Sequence, residues 1–124
     1  MAGETILVVE DSEMVRRIYE DLLRADGFRV LSAADGLECL NVIAREHVHL
    51  VLLDLVMPRL GGLEALAAMR HDPRTASVPV IILSNLGEEE DVRRGLELGA
   101  VDYILKGTTT TGYVTSKIRA RLNA

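Results

Sequence analysis

Short apolar runs alternate five times with segments in which apolar residues recur every three or four positions. The runs cover residues 6–9, 28–33, 50–53, 78–83 and 101–105. Val15, Ile18 and Leu22 illustrate the spacing between runs, which is that of one face of an α-helix. This alternation predicts an α/β fold in which five helices cover both faces of a doubly wound, five-stranded parallel sheet.

The texture of the runs predicts the order of the strands. The first, third and fourth runs are unbroken apolar sequence, as expected for central strands that are covered on both faces. Arg29 and Asp102 interrupt the second and fifth runs, which is typical of edge strands. The flavodoxin-like order 2-1-3-4-5 meets both conditions, and it places the ligand-binding crevice beyond the carboxyl ends of strands 1 and 3.

Local signals predict several helix boundaries. Asp35 followed by Glu38 indicates a capping box at the second helix, and Gly27 and Gly99 indicate the ends of two others. The four threonines at 108–111 predict a polar loop and an N-cap before the last helix.

Three carboxylates follow two of the predicted central strands: Glu10 and Asp11 after the first, and Asp54 after the third. Because parallel strands end at one edge of a sheet, we expect these groups to lie close together and to repel one another. A bound cation would resolve the repulsion, and all-oxygen ligation favours Mg²⁺ or Mn²⁺ over zinc. The alternative is a set of separate solvated acids, in which Asp11, together with Ser12, caps the first helix.

Asp54 has the setting of a nucleophile. It closes a buried strand and precedes the loop at 55–62, so its backbone is fixed while its carboxylate is open. Attack on phosphorus would form an acyl phosphate. Lys106, after the fifth run, can meet the negative charge of the transferring group, and Ser84, after the fourth, can donate a hydrogen bond to it. Each alone would be an ordinary strand-end residue, but with the acids they indicate phosphoryl chemistry.

Composition restricts the class of protein. The chain has 124 residues, which predicts a single domain over 1–124, and its 48% hydrophobic content suffices for one core. A net charge of −5 argues against direct nucleic-acid binding. No apolar stretch approaches the roughly 20 residues of a membrane span, and the N-terminus lacks the pattern of a signal peptide. Cys39 is the one cysteine and is predicted to be a buried hydrophobe, so we expect a cytoplasmic protein without disulfides.

These pieces together resemble response-regulator receiver domains over essentially the whole chain. The matching segments are ILVVED at 6–11, LLDLVMP at 52–58 with Gly62, IILS at 81–84, LGAVDY at 98–103 and Lys106. The resemblance implies that Asp54 is phosphorylated in a Mg²⁺-dependent reaction by a histidine kinase or a histidine phosphotransfer protein. It also implies that the phosphoryl group switches binding of a partner or dimerisation.

The resemblance assigns a role to each residue of the site. Asp11 and Asp54 would be direct Mg²⁺ ligands together with the backbone carbonyl of Val56, and Glu10 would act through bound water. Ser84 and Lys106 would hold the phosphoryl group.

The family's conformational switch couples the strand-4 hydroxyl to an aromatic residue on strand 5. Movement of Ser84 toward the phosphoryl group would accompany inward rotation of Tyr103. The alternative for Tyr103 is an edge-strand tyrosine with its hydroxyl in water.

Three features depart from the family pattern. Gly107 replaces the proline that usually follows Lys106, so the peptide is predicted to be trans or to use glycine's conformational freedom. Asn85 stands where a small residue is usual, and it would narrow access to the phosphoryl group or offer it a hydrogen bond. Val56 and Leu86 flank the site at positions that tune hydrolysis in the family, and neither can orient water, so we predict slow self-dephosphorylation.

Partner surfaces are also implied by the resemblance. Met14, Arg16 and Arg17 on the first helix lie where phosphodonors dock in the family, although they could equally form an ordinary solvated face. The face formed by helix 4, strand 5 and helix 5 could bind an effector or a second copy of the chain. In a dimer the acidic residues 88–91 could contact the basic residues of helix 5, which are Lys117, Arg119 and Arg121. The alternative is that the acids only complement the dipole at the start of helix 4.

The leading hypothesis is a receiver module that catalyses only its own phosphorylation and dephosphorylation, and is not otherwise an enzyme. One alternative is a degenerate receiver that binds a partner without phosphorylation. A Mg²⁺-dependent phosphohydrolase is the other; such enzymes typically need a second acid two residues after the nucleophile, where this chain has Val56.

Overall fold

The computed structural model describes residues 3–107 and 111–123 of the chain. Strands and helices alternate as predicted, with small differences at the ends of the elements. The strands are β1 (Thr5–Val9), β2 (Arg29–Ala33), β3 (Leu50–Asp54), β4 (Val80–Ser84) and β5 (Asp102–Leu105). The helices are α1 (Glu13–Ala25), α2 (Gly36–Arg45), α3 (Gly62–His71), α4 (Glu89–Glu97) and α5 (Thr111–Leu122). None of the helices in the described part of the chain is long and apolar enough to cross a membrane.

The five strands form one parallel sheet in the order β2-β1-β3-β4-β5, which confirms the predicted flavodoxin-like topology. Every residue of β1, β3 and β4 is buried, whereas the edge strands β2 and β5 are only partly buried. The register pairs Val9 with Leu53, and Asp54 with Leu83, so these strands end at nearly the same level. Residues that follow them therefore meet at one edge.

Alternation along the strands divides the core into two layers. Leu7 and Val9 of β1 face the cluster that packs against α2, α3 and α4. Ile6 and Val8 face the opposite cluster, to which α1 contributes Tyr19 and α5 contributes further residues. The same alternation determines which of the two layers a residue at the end of a strand faces: it is the layer faced by the residue two positions earlier.

Side chains cap the helices that start near the site. Ser12, rather than Asp11, caps α1, because its hydroxyl accepts the Val15 N–H at 3.3 Å. At α2, Asp35 Oδ1 accepts the Glu38 N–H at 2.9 Å, while the Glu38 carboxylate accepts the N–H of Ala34 rather than that of the cap residue itself.

Other local predictions have mixed outcomes. Gly27 and Gly99 follow helices in left-handed conformations, at φ +92° and +103°, which confirms their predicted role at helix ends. Cys39 is fully buried and free, as predicted. The predicted threonine loop falls largely on 108–110, outside the described residues.

Gly62 permits the close approach of α3 to the end of β3. A Cβ atom at this position would lie 2.3 Å from the Asp54 carbonyl oxygen and 2.7 Å from Leu55 Cα. Both are backbone atoms, so neither can move aside as a flexible side chain would. The Gly62 N–H also donates to the Leu55 carbonyl at 2.9 Å, which fixes the backbone beside Asp54.

We predict that Gly62→Ala lowers the free energy of unfolding by about 1–3 kcal/mol, because the added methyl group displaces backbone rather than filling space. Chemical denaturation measures the change. Gly112→Ala is the matched control, since nothing lies within 4 Å of a Cβ built at Gly112 in α5. That variant should differ from the wild type by no more than about 1 kcal/mol. Equal effects of the two substitutions would contradict this account.

Candidate functional site

Three carboxylates converge at the end of the central strands. Glu10 and Asp11 directly follow β1, and Asp54 is the last residue of β3. One carboxylate oxygen from each lies within 4.8 Å of the others. Glu10 and Asp54 are 1% exposed, so the prediction that the Asp54 carboxylate is open is wrong for this conformation, whereas Asp11 is exposed to solvent. The cluster therefore has a buried floor and one open side, and its oxygens are the donors that Mg²⁺ prefers.

The Lys106 ammonium bridges the two buried acids. Its Nζ lies 2.7 Å from Glu10 Oε1 and 2.9 Å from Asp54 Oδ1. Its backbone N–H donates to the Ser84 carbonyl at 2.7 Å. Gly107 follows in the left-handed region at φ +93°, and no peptide bond in the described part of the chain is cis. The peptide is thus trans, and Gly107 uses glycine's conformational freedom, as predicted.

Burial and charge act in opposite directions on the bridge. Burial raises the pKa of Asp54 to about 7, and the Glu10 charge adds to the rise while Lys106 opposes it. Burial alone would lower the pKa of Lys106, but its hydrogen bonds and charge interactions with Glu10 and Asp54 outweigh that effect and raise it. Two buried carboxylates thus share one ammonium, and a second cation beside Asp11 would relieve the remaining repulsion.

The backbone of Glu10 is held by a contact that sequence reasoning did not find. Arg16 Nη1 donates to the Glu10 carbonyl oxygen at 2.8 Å, and Arg16 Nε lies 3.6 Å from Glu20 Oε2. The N–H of Ser12 donates to Glu10 Oε2 at 2.9 Å, so the carboxylate is also fixed. Arg16 is thus turned inward, whereas the neighbouring Met14 is 73% exposed.

A second contact missed from the sequence fixes the loop after Asp54. Arg59 Nε donates to Asp35 Oδ2 at 2.7 Å, and the N–H of Gly36 donates to the Leu60 carbonyl at 2.8 Å. Arg59 is the one non-glycine residue with positive φ, at 65°, in the described part of the chain. The only hint of this pair in the sequence is a basic residue in a loop that must pass near an N-cap acid. The loop that carries Val56 is therefore anchored to the start of α2.

Ser84 and Tyr103 line one cavity of about 220 Å³ between β4, β5 and α4. Ser84 is fully buried, and its hydroxyl has no hydrogen-bond partner among the described residues. Tyr103 is 43% exposed. The cavity leaves room for the ring and the hydroxyl to rearrange.

The β4–α4 loop turns its polar groups toward α4. The backbone N–H of Asn85 donates to Glu88 Oε1 at 2.9 Å, and its side-chain amide lies 3.5 Å from Glu88 Oε2. Asn85 is thus occupied by Glu88 in this conformation. Leu86 is 84% exposed and Val56 is 59% exposed, so both present apolar side chains to solvent.

Comparison with protein families gives one match that spans the site. A family model described as the response regulator receiver domain matches residues 6–116. The matched range contains every residue of the site, from Glu10 to Lys106.

Curated relatives match over most of this chain. A protein of Porphyridium aerugineum named "Probable transcriptional regulator ycf27" is 46% identical over 106 residues, which are 86% of this chain and 43% of that protein. The phosphate regulon transcriptional regulatory protein PhoB of Pseudomonas aeruginosa is 36% identical over 106 residues, which are 86% of this chain and 46% of that protein. The chain thus spans less than half the length of these relatives.

Solved structures share the whole fold. The receiver domain of a sensor histidine kinase from Pseudomonas aeruginosa, with a magnesium ion coordinated in its active site cleft, has a TM-score of 0.90 at 28% identity, covering 99% of this chain and 100% of its own. A CheY-like response regulator receiver domain protein from Methanospirillum hungatei has a TM-score of 0.88 at 25% identity, covering 98% of this chain and 95% of its own.

The raised pKa of Asp54 predicts a pH-dependent effect of Asp54→Asn. The carboxyl has a pKa of about 7 in the folded protein and of about 3.9 when unfolded, so its ionisation makes folding less favourable as the pH rises between these values. Asp54→Asn should therefore raise the free energy of unfolding by up to about 4 kcal/mol at pH 8, and the gain should vanish near pH 4. Urea denaturation across this range is the measurement. Asp21→Asn, at an exposed position on α1, is the control, and a gain in Asp54→Asn that does not depend on pH would refute the assignment.

Proposed function

The chain belongs to the response regulator receiver domain family, and on that premise we propose that it is the phosphoacceptor of a two-component phosphorelay. Asp54 accepts a phosphoryl group from a phosphohistidine of a histidine kinase or a histidine phosphotransfer protein, in the cytoplasm. The observation that carries the proposal is the bridge from Lys106 to the buried Asp54 and Glu10, at 2.9 and 2.7 Å, within a cluster of three acids.

The acid cluster fits a divalent metal ion. The carboxylates of Asp11 and Asp54 and the backbone carbonyl of Val56 would hold Mg²⁺, or Mn²⁺, and Glu10 would act through bound water. The fit rests on the all-oxygen donor set and on the open side at Asp11. When bound, the ion supplies positive charge against the oxygens of the transferring phosphoryl group.

In the transfer step, a carboxylate oxygen of Asp54 forms a bond to phosphorus while the nitrogen–phosphorus bond of the donor breaks. The electron pair of that bond goes to the imidazole nitrogen. The ring takes a proton from solvent on its other nitrogen, so it leaves as neutral imidazole. Lys106 compensates charge on the phosphoryl oxygens, and the Ser84 hydroxyl donates a hydrogen bond to one of them. The unpartnered Ser84 hydroxyl is consistent with this role, because a buried donor without a partner is costly.

The switch would then act through the cavity shared by Ser84 and Tyr103. Movement of Ser84 toward the phosphoryl group vacates space into which the Tyr103 ring rotates, and this changes the face formed by α4, β5 and α5. We expect that face to bind an effector protein or a second copy of the chain. On it, Lys117 pairs with Asp102 of the same chain at 2.9 Å, so those two charges are already matched in the monomer.

The phosphodonor would dock beside the acids on α1. Met14 and Arg17 are exposed there, whereas Arg16 is turned inward onto Glu10. We propose no turnover of other substrates, because the position two residues after Asp54 holds the exposed apolar Val56 and not an acid.

Phosphorylation can be tested with a small donor. Incubation with Mg²⁺ and acetyl phosphate should add one phosphoryl group per chain, as measured by intact-protein mass spectrometry. The adduct should be absent in Asp54→Asn and in the presence of excess chelator, because the nucleophile or the charge compensation is then missing. Asp21→Asn is the control, since Asp21 is an exposed acid on α1 outside the cluster.

Two results would contradict this function. No adduct, under conditions in which a control receiver is labelled, would favour a degenerate receiver. Multiple turnover of a phosphate ester would favour a phosphohydrolase.

The lifetime of the phosphoprotein provides a separate prediction. Val56 and Leu86 carry no group that can orient water, and Asn85 is turned toward Glu88, so hydrolysis should take many minutes or longer. Loss of the added mass with time after removal of donor measures the lifetime. Leu86→Gln, which places an amide at this exposed position, should shorten it, and complete loss within seconds in the wild type would disprove the prediction.

A further inference from the structure

The Tyr19 hydroxyl is an unexplained polar group in the core. Tyr19 lies on α1, is 1% exposed, and is among the largest fully buried side chains. Its hydroxyl has no hydrogen-bond partner among the described residues. Buried hydroxyls are almost always paired, and phenylalanine would fill the same space without an unpaired polar atom. Packing alone therefore does not explain why this residue is a tyrosine.

Tyr19 packs in the core layer that lies beneath the acid cluster. Tyr19 packs in the layer that contains Val8 of β1, Leu52 of β3 and Ile104 of β5. Two residues farther along each of these strands stand Glu10, Asp54 and Lys106, which belong to the same layer by strand alternation. The charges of Lys106 and Glu10 both act on the hydroxyl, and burial raises the pKa of Tyr19, so it stays protonated and can donate.

Under the proposed function, phosphorylation of Asp54 changes the partner of one carboxylate oxygen of Glu10. Oε2 accepts the N–H of Ser12 at 2.9 Å, whereas Oε1 meets Lys106 at 2.7 Å. Under the proposed function, Lys106 turns to the phosphoryl oxygens when Asp54 is phosphorylated. Glu10 Oε1 would then lose its direct contact with the ammonium, and the metal ion would reach Glu10 only through water. A buried charged oxygen is costly without a direct donor, so a new donor at Oε1 would stabilise this state.

We propose that Tyr19 is a positioning residue that donates its hydroxyl hydrogen to Glu10 once Lys106 has turned to the phosphoryl group. The hydroxyl is unpaired in the unphosphorylated protein and paired in the phosphorylated one. It thus disfavours the first state and favours the second. The inference rests on the proposed function, because it needs Lys106 to leave Glu10.

Tyr19→Phe should affect the unphosphorylated and the phosphorylated states differently. Without ligands, its thermal midpoint should equal or exceed that of the wild type, because the substitution removes an unpaired buried hydroxyl. Beryllofluoride with Mg²⁺, a stable mimic of the phosphoryl group, should bind the variant about tenfold more weakly in calorimetric titration, the loss expected for one hydrogen bond to a charged group. Tyr113→Phe is the matched control, since Tyr113 is 40% exposed on α5, and it should change neither quantity.

Glu10→Gln tests whether Tyr19 acts through Glu10. In that background the loss of beryllofluoride affinity on adding Tyr19→Phe should be much smaller than in the wild type, because the charged acceptor is gone. Unchanged affinity in Tyr19→Phe alone would overturn the proposal, as would a clearly lowered thermal midpoint, which would mean that the hydroxyl is already paired. A wild-type protein that binds no beryllofluoride at all would instead refute the proposed function.

Discussion

The structure depends on the burial of two carboxylates at the ends of its central strands. Glu10 and Asp54 are each 1% exposed, and a buried charge is costly unless it is paired. Lys106 pairs with both, which requires the ends of β1, β3 and β5 to come to the same place. The parallel register provides this, because it pairs Val9 with Leu53, Asp54 with Leu83, and Ser84 with Leu105. The strand order and the pairing of the buried charges therefore depend on the same alignment of the strand ends.

Strand alternation divides the residues of the site between the two faces of the sheet. Glu10, Asp54 and Lys106 lie on the side of α1 and α5, whereas Ser84 and Tyr103 lie on the side of α4. The backbone N–H of Lys106 donates to the Ser84 carbonyl at 2.7 Å, so the backbones of these two residues, whose side chains lie on opposite faces, are directly bonded. A change in the charge near Lys106 therefore reaches the cavity beside Tyr103 across a single pair of strands.

The features that could be predicted from the sequence are those that depend on its pattern of apolar and polar residues. Unbroken apolar runs identified the central strands, and Arg29 and Asp102 identified the edges, because burial on two faces excludes charge. The convergence of the three acids then follows from the parallel order alone. The bonds from Arg16 to Glu10 and from Arg59 to Asp35 could not be predicted in the same way. They depend on side-chain rotamers and on the paths of loops, and neither appears as a periodic pattern in the sequence.

The two sides of the site also differ in how firmly they are held, and this difference suits a switch. Beside Asp54, Gly62 packs against the strand end, and Arg59 is held at φ 65°, a conformation that costs energy for a residue with a side chain. Such strain persists only where surrounding contacts impose it, here the bonds to Asp35 and Gly36. Beside Ser84, by contrast, there is a cavity of about 220 Å³, an unpaired hydroxyl and an exposed loop. A nucleophile needs fixed geometry and a switch needs an alternative conformation, so this fold provides rigidity on the side of β3 and freedom on the side of β4.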